Sequence, residues 1–207
     1  NNIDTSQYIM RNLHSYNDFF TRHIKPEKRP IDKASKHLIS PCDSKLTVYK
    51  IQNNSVFRIK NSYYKISDLI GSSQLANEYR DGYCMIFRLE VDDYHRYCYI
   101  DNGTKSKNVF INGILHTVNP IALEHYNIYS QNCRECTILD TQNFGRVLQV
   151  EVGAMMVGRI VNHHQKCTFS RGQEKGMFQF GGSTIVLCFK RNIISIDDDI
   201  LQNSQNN

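Results

Sequence analysis

From residue 45 onward the chain is a succession of short β-rich runs divided by turn residues, which leaves little room for anything but a sheet protein. Leu46 to Ile51, Ser55 to Ile59 and Tyr63 to Ile66 alternate or favour β-branched and aromatic side chains. Gly82 to Leu89 is apolar almost throughout, the mark of a strand buried on both faces. Further strands are expected at 107–111, 135–140, 145–152, 155–161 and 184–189, with a short helix between 66 and 80. Upstream, Tyr8, Ile9, Leu13, Tyr16, Phe19 and Phe20 trace a loose helical stripe, so residues 6–23 are expected as a helix packed on the core, with a membrane-interface role as the lesser alternative. Two prolines make Lys25 to Pro30 a stiff basic connector. The expected fold is α+β and mainly β: an antiparallel sandwich or barrel-like core with an N-terminal helix and peripheral helices. At 207 residues the chain fits one domain spanning 1–207, and Asp197 to Asp199 with the Asn/Gln-rich end read as a solvated tail.

The formal charge of +5 would favour an anionic surface, yet the basic residues are scattered, which serves solubility and gives no reason to expect a nucleic-acid partner. No run approaches the length of a bilayer-spanning helix and no signal peptide is evident, so the chain reads as soluble or peripheral; opening at Asn1, it reads also as a trimmed product or fragment. Seven cysteines at irregular spacings suit free thiols in a reducing compartment. Cys133 and Cys136 have metal-ligand spacing but no second pair nearby, so no metal site is expected.

The chemistry points to Phe180-Gly181-Gly182-Ser183-Thr184, a paired-glycine turn running into a β-branched strand. Glycines allow backbone angles that other residues avoid, so the Gly182 carbonyl can be held in strain beside the Ser183 hydroxyl. In a bond bent this way the serine oxygen can attack the preceding carbonyl, turn amide into ester and leave by β-elimination. The chain then breaks between Gly182 and Ser183, and loss of ammonia leaves a pyruvoyl ketone at the new amino terminus. Such a ketone condenses with amines and withdraws electrons from their α-carbon, the work of a carbonyl cofactor.

Other segments extend the pattern: Phe19-Phe20-Thr21-Arg22 with Arg29-Pro30-Ile31, Ser40-Pro41-Cys42-Asp43, and Phe87-Arg88-Leu89 leading to Asp93-Tyr94-His95-Arg96. Val118-Asn119-Pro120, Phe144-Gly145, Val150 to Ala154 with Val157-Gly158, and Gly172 to Gly176 follow in order. Together with the Gly-Gly-Ser-Thr turn, the chain resembles the pyruvoyl-dependent phosphatidylserine decarboxylases over nearly its whole length. The resemblance implies self-cleavage into a larger chain, 1–182, and a small one, 183–207. It implies a pyruvoyl cofactor made from Ser183, which forms a Schiff base with phosphatidylserine and releases carbon dioxide to give phosphatidylethanolamine. The implied setting is an anionic membrane surface on the cytoplasmic side, held peripherally. The implied partners are that lipid and the chain's own small fragment, and a homo-oligomer is left open.

Within that resemblance, Asp43 and His95 are the candidates to orient and to act as base for Ser183, by the logic of a serine triad turned on the chain's own backbone. His95 is expected also to donate the proton that completes decarboxylation, and Asp93 and Arg96 to orient it or to meet a phosphate or carboxylate. The family shows a second histidine three residues on, where this chain has Cys98. Either Cys98 supplies a thiolate, or His95 takes both tasks, or processing is slow; Cys98 also reads as a small packed side chain. Two rival readings are a decarboxylase of a soluble amino acid or other serine-headed lipid, and an unprocessed binding or scaffold protein. His116, His125, His163 and His164 are expected to be structural or at the surface, and Met155 and Met156 in the core or a pocket wall.

Overall fold

The computed structural model of the chain describes residues 3–52, 54–59, 62–114, 128–154, 159–179 and 183–205. In chain order its strands begin with β1 (Tyr8–Ile9), β2 (His23–Ile24), β3 (Lys45–Lys50), β4 (Val56–Ile59), β5 (Ser62–Lys65), β6 (Tyr83–Leu89) and β7 (Arg96–Cys98). They continue with β8 (Gly103–Lys105), β9 (Val109–Ile111), β10 (Arg134–Thr141), β11 (Gly145–Val152), β12 (Arg159–Asn162), β13 (Cys167–Phe169), β14 (Glu174–Gln179) and β15 (Ser183–Phe189). Short helices α1 (Tyr16–Phe20), α2 (Ile66–Ile70) and α3 (Ser73–Asn77) lie among them.

The larger sheet runs β13-β8-β10-β11-β15-β6-β3, with β9 also on β10, and every pairing in it is antiparallel. β15 lies between β11 and β6, and all seven of its residues are buried, which is why the strand reads from Ile185 onward as a continuous apolar run rather than an alternating one. Ile185, Val186, Leu187 and Phe189 each contribute about 1.5–3 kcal/mol by leaving water. The smaller sheet, β12-β14-β7, covers one face. Glu135 and Glu151, opposite each other on β10 and β11, reach Asn162 and Lys175 of that second sheet. Arg134, one residue along, faces the other way and donates to the carbonyls of Leu69 and Asp68 in α2. The result is a sandwich with helices behind it. The described strand order is open at both ends, so the barrel half of the expectation gives way to the sandwich half.

Three local expectations are corrected. Residues 6–23 are not one helix: Tyr8 and Ile9 pair with β2, Asn12 turns the chain at φ 58°, and α1 starts only where Ser15 and Asp18 form a reciprocal capping box. The helix expected between 66 and 80 is broken in two at Gly71, whose φ of 69° is the left-handed cap that ends α2. The acidic, amide-rich end is not a free tail. Residues Asp198–Gln205 form a helix against β3, and the buried Ser204 hydroxyl accepts the Val48 amide. Of the strand expected at 155–161, Arg159–Ile160–Val161 lies in β12, and 155–158 fall outside the described residues together with Met155 and Met156.

Candidate active site

Ser183 opens β15 directly opposite Leu89, the last residue of β6. Its residue is 0% exposed, and its Oγ has no hydrogen-bond partner among the described residues. A buried hydroxyl left unpaired costs about 1–3 kcal/mol, so an oxygen in that condition calls for an explanation other than stability. Ser183 shares its facing with Ile185 and Glu151, so it points into the layer between the two sheets. Residues 180–182, including Gly182, lie outside the described residues.

The chain leaving β6 turns at once through Glu90 to Asp93 and returns as β7. Asp93 closes the turn twice: its amide donates to the Glu90 carbonyl, and its Oδ2 accepts the Glu90 amide at 2.7 Å. Burial pushes the Asp93 carboxyl above the usual carboxylate range, and repulsion from Asp92, Asp43 and Glu90 adds to it against the pull of that amide. Asp93 does hold His95, but with its main chain: His95 Nδ1 stands 2.9 Å from the Asp93 carbonyl. A carbonyl only accepts, so Nδ1 carries the hydrogen in the neutral ring and Nε2 is the basic nitrogen. His95 is 0% exposed, lies under the Phe20 ring at 4.0 Å, and accepts the Phe178 amide on its own carbonyl. The residues Leu89 and Phe178 thus tie Ser183 and His95 to the same end of the sandwich. Arg96 takes no part in orienting His95. Its guanidinium donates to the Thr21 carbonyl and to Glu174.

Burial alternates along this segment: His95, Tyr97 and Tyr99 are buried, while Tyr94, Arg96 and Cys98 are half-buried and line a cavity of about 650 Å³ that Tyr97 also borders. Asp43 and Cys42 share that cavity. Lys45 pairs with Arg88, so β3, which Asp43 precedes by two residues, and β15, which Ser183 opens, flank β6 on opposite sides. The Asp43 carboxylate is held in a fork by Arg29, with Nε at 3.0 and 3.2 Å from its two oxygens and Nη2 at 2.5 Å. Cys98 lacks the surroundings of a thiolate. Burial raises its thiol to about 12, and its Sγ lies 3.8 Å from the Ser40 carbonyl, an acceptor that favours the protonated form. Of the expected set, the sandwich interior therefore receives Ser183 and His95, the cavity wall receives Asp43 and Cys98, and Asp93 stands between.

Sequence reasoning missed three features. His163, at the surface as expected, has a partner the sequence did not announce, Glu174 at 2.6 Å beside Arg96. Arg22 is almost wholly buried, stacked on Tyr8 and Phe19 and donating to the carbonyls of Phe19 and Asp92, so it clamps α1 onto the turn before His95. Arg29 stood out in the sequence as part of the Arg29-Pro30-Ile31 segment and of a basic connector, but its fork with Asp43 did not. Cys133 and Cys136 diverge, the first toward the Gly113 carbonyl and the second toward that of Leu69.

Comparison with known proteins supplies what this geometry belongs to. The phosphatidylserine decarboxylase family model matches residues 16–206. The chain is 52% identical over 203 residues to phosphatidylserine decarboxylase proenzyme 2 of Clostridium acetobutylicum, covering 98% of this chain and 69% of that protein. It is 44% identical over 206 residues to the phosphatidylserine decarboxylase proenzyme of Clostridium botulinum strain Langeland, and 44% over 208 residues to that of Clostridium tetani, covering 98% of this chain and 70% of the relative each time. A mainly antiparallel α+β sandwich with a buried serine and histidine is, on these matches, an enzyme of the carboxy-lyase class. The chain belongs to the phosphatidylserine decarboxylase family.

Proposed function

We propose that this chain cuts itself between Gly182 and Ser183, and that the pyruvoyl group so formed serves the decarboxylation of phosphatidylserine to phosphatidylethanolamine. The observation that carries the reading is the Ser183 hydroxyl, buried and unpaired at the residue that follows Gly182. His95 Nε2 takes the Ser183 proton as the oxygen adds to the Gly182 carbonyl. Asp43, held by Arg29 at the neighbouring cavity wall, is the candidate to help orient this exchange. The Gly182 C–N bond then breaks as the serine nitrogen takes up the proton, which leaves an ester; loss of the Ser183 α-proton expels Gly182 as a carboxylate and leaves a dehydroalanine, whose imine tautomer takes up water and releases ammonia. Ser183 fits the group in place and in chemistry: it heads a rigid central strand, and its hydroxyl satisfies no structural bond that its loss would break. Once made, the ketone supplies the electron sink for loss of the carboxylate. His95, walled off by Phe20, holds the proton that returns to the α-carbon.

The cavity beside Asp43 suits the lipid headgroup. Arg29, Arg96, Asp32, Asp43 and Glu174 offer both signs of charge to an ammonium, a carboxylate and a phosphodiester, above apolar walls from Ile24, Leu38 and Ile39. Ile9, Met10 and Tyr16, exposed at 44%, 42% and 57%, stand close in sequence to the basic connector and support peripheral attachment at the cytoplasmic face of a membrane. The chain then works as one domain cut in two, the larger fragment ending at Gly182 and the smaller beginning at Ser183.

Intact-mass spectrometry of freshly made protein tests the reading. The expected result is two fragments, the smaller lighter by one ammonia than a serine-initiated peptide. A chain that stays whole on incubation refutes it. Carbon dioxide release from phosphatidylserine vesicles, set beside release from free serine, separates the lipid from a soluble substrate.

A further inference from the structure

The connector that displays Arg29 is built for rigidity. Pro26–Lys28 makes a single 3-10 turn, the Arg29 amide returns to the Pro26 carbonyl, and Pro30 fixes the backbone that follows. The guanidinium is stitched down on its other side, where Nη1 donates to the Lys28 carbonyl at 2.9 Å and to Gln7 Oε1 at 3.4 Å. What remains, Nε and Nη2, makes a two-pronged contact with Asp43, the geometry in which an arginine fixes both the charge and the plane of a carboxylate. Both Asp43 oxygens accept from this one guanidinium, which leaves the carboxylate a single plane. A lysine in the same place would supply the charge without the plane.

We infer that Arg29 is a positioning residue for self-cleavage, fixing the plane of the Asp43 carboxylate on the loop that the Cys98 amide ties, through the Pro41 carbonyl, to the strand following His95. The inference rests on the self-processing reading above. It assigns Arg29 no contact with Ser183 and no proton to transfer; its effect passes through Asp43 alone.

The test follows the conversion of freshly translated full-length chain into its two fragments. Arg29→Ala slows the conversion about 10-fold, the scale of one charge-assisted fork at a partly exposed site. Low concentrations of methylguanidinium restore part of the rate, because a free guanidinium can occupy the vacated place. Arg29→Lys, which keeps the charge but not the planar fork, falls between wild type and Arg29→Ala. On an Asp43→Asn background, Arg29→Ala adds no further slowing. Wild-type rates in both Arg29 variants overturn the inference, as does slowing that methylguanidinium leaves unchanged and that persists on the Asp43→Asn background. A wild-type chain that never cleaves removes the self-processing reading itself, and the role of Arg29 falls with it.

Discussion

Ser183 stands in register with Leu89 across the junction of β15 and β6, so the residue that heads the central strand sits at the point where the chain leaves for the His95 segment. Removing its hydroxyl therefore separates chemistry from stability. Ser183→Ala is expected to remain one uncut chain with no ketone, and to unfold at the wild-type temperature or slightly above it, because the lost oxygen has no partner to strand. Mass spectrometry reads the first outcome and a thermal melt of the uncut chain the second. A marked fall in melting temperature would mean that the Ser183 hydroxyl is part of the fold.

Lys175 and Glu151 form an ion pair of 2.6 Å with neither side chain exposed, and it joins the two sheets of the sandwich. Asn162 and Gln149 complete it, the first bonding to both charged partners and the second to Glu151. Breaking a buried pair from one side strands the other charge, so Lys175→Met is expected to cost about 3–5 kcal/mol. Adding Glu151→Gln to it removes the stranded charge and is expected to recover more than half of that loss. Urea unfolding of the single and double variants, with slopes compared, measures both; a double variant no better than the single would show that the pair matters through shape alone.

Legibility in the sequence followed element length and burial. β6, β10, β11 and β15 are long and rich in β-branched or apolar residues, so their periodicity placed them within a residue or two. β7, β8 and β13 have three residues each, too few to show a period, and β14 hides behind Glu174-Lys175-Gly176, polar because Lys175 is buried against a partner instead of against hydrocarbon. The site divided in the same way. Ser183, His95, Asp43 and Asp93 stand in motif positions and could be named, but the alternation that turns His95 inward and Cys98 outward exists only once β7 is paired with β14. The fork of Arg29 was out of reach because its partner, Asp43, is 14 residues away along the chain.

Asp93 makes a pH prediction with a definite sign. Its folded carboxyl lies above the ordinary value of 3.8, mainly through burial, so the folded chain prefers the protonated form more than the unfolded chain does. The stability this contributes is present in full below pH 3.8 and is lost as pH rises through the folded value. At neutral pH the ionised side chain is a burden. Asp93→Asn keeps an oxygen for the Glu90 amide and removes the charge, so it is expected to melt at a higher temperature than wild type at pH 7, with the gap closing as the pH falls below 4. Melting curves of the uncut Ser183→Ala chain with and without Asp93→Asn, taken across that range, carry the test. A gap that widens in acid would reverse the sign and remove burial as the cause.

Cys98 occupies the position of the family's second histidine, and its surroundings decide whether it can replace one. With burial pushing the thiol up to about 12, the thiolate is scarce at pH 7, which does not suit a base that must work near neutrality. Cys98→Ser keeps the size and cannot form a thiolate, so self-cleavage is expected to proceed within about 2-fold of the wild-type rate, with the same pH profile. Cys98→His offers a group that titrates in the right range at a site facing the Asp43 cavity, and the expected outcome is cleavage at the wild-type rate or faster. Alkaline stability gives an independent reading. A thiol raised from about 9 to about 12 keeps its contribution below pH 9 and loses it as pH climbs toward 12, a loss that Cys98→Ser does not undergo. A large drop in cleavage for Cys98→Ser, rescued by raising the pH in wild type alone, would restore the thiolate and take the base role away from His95.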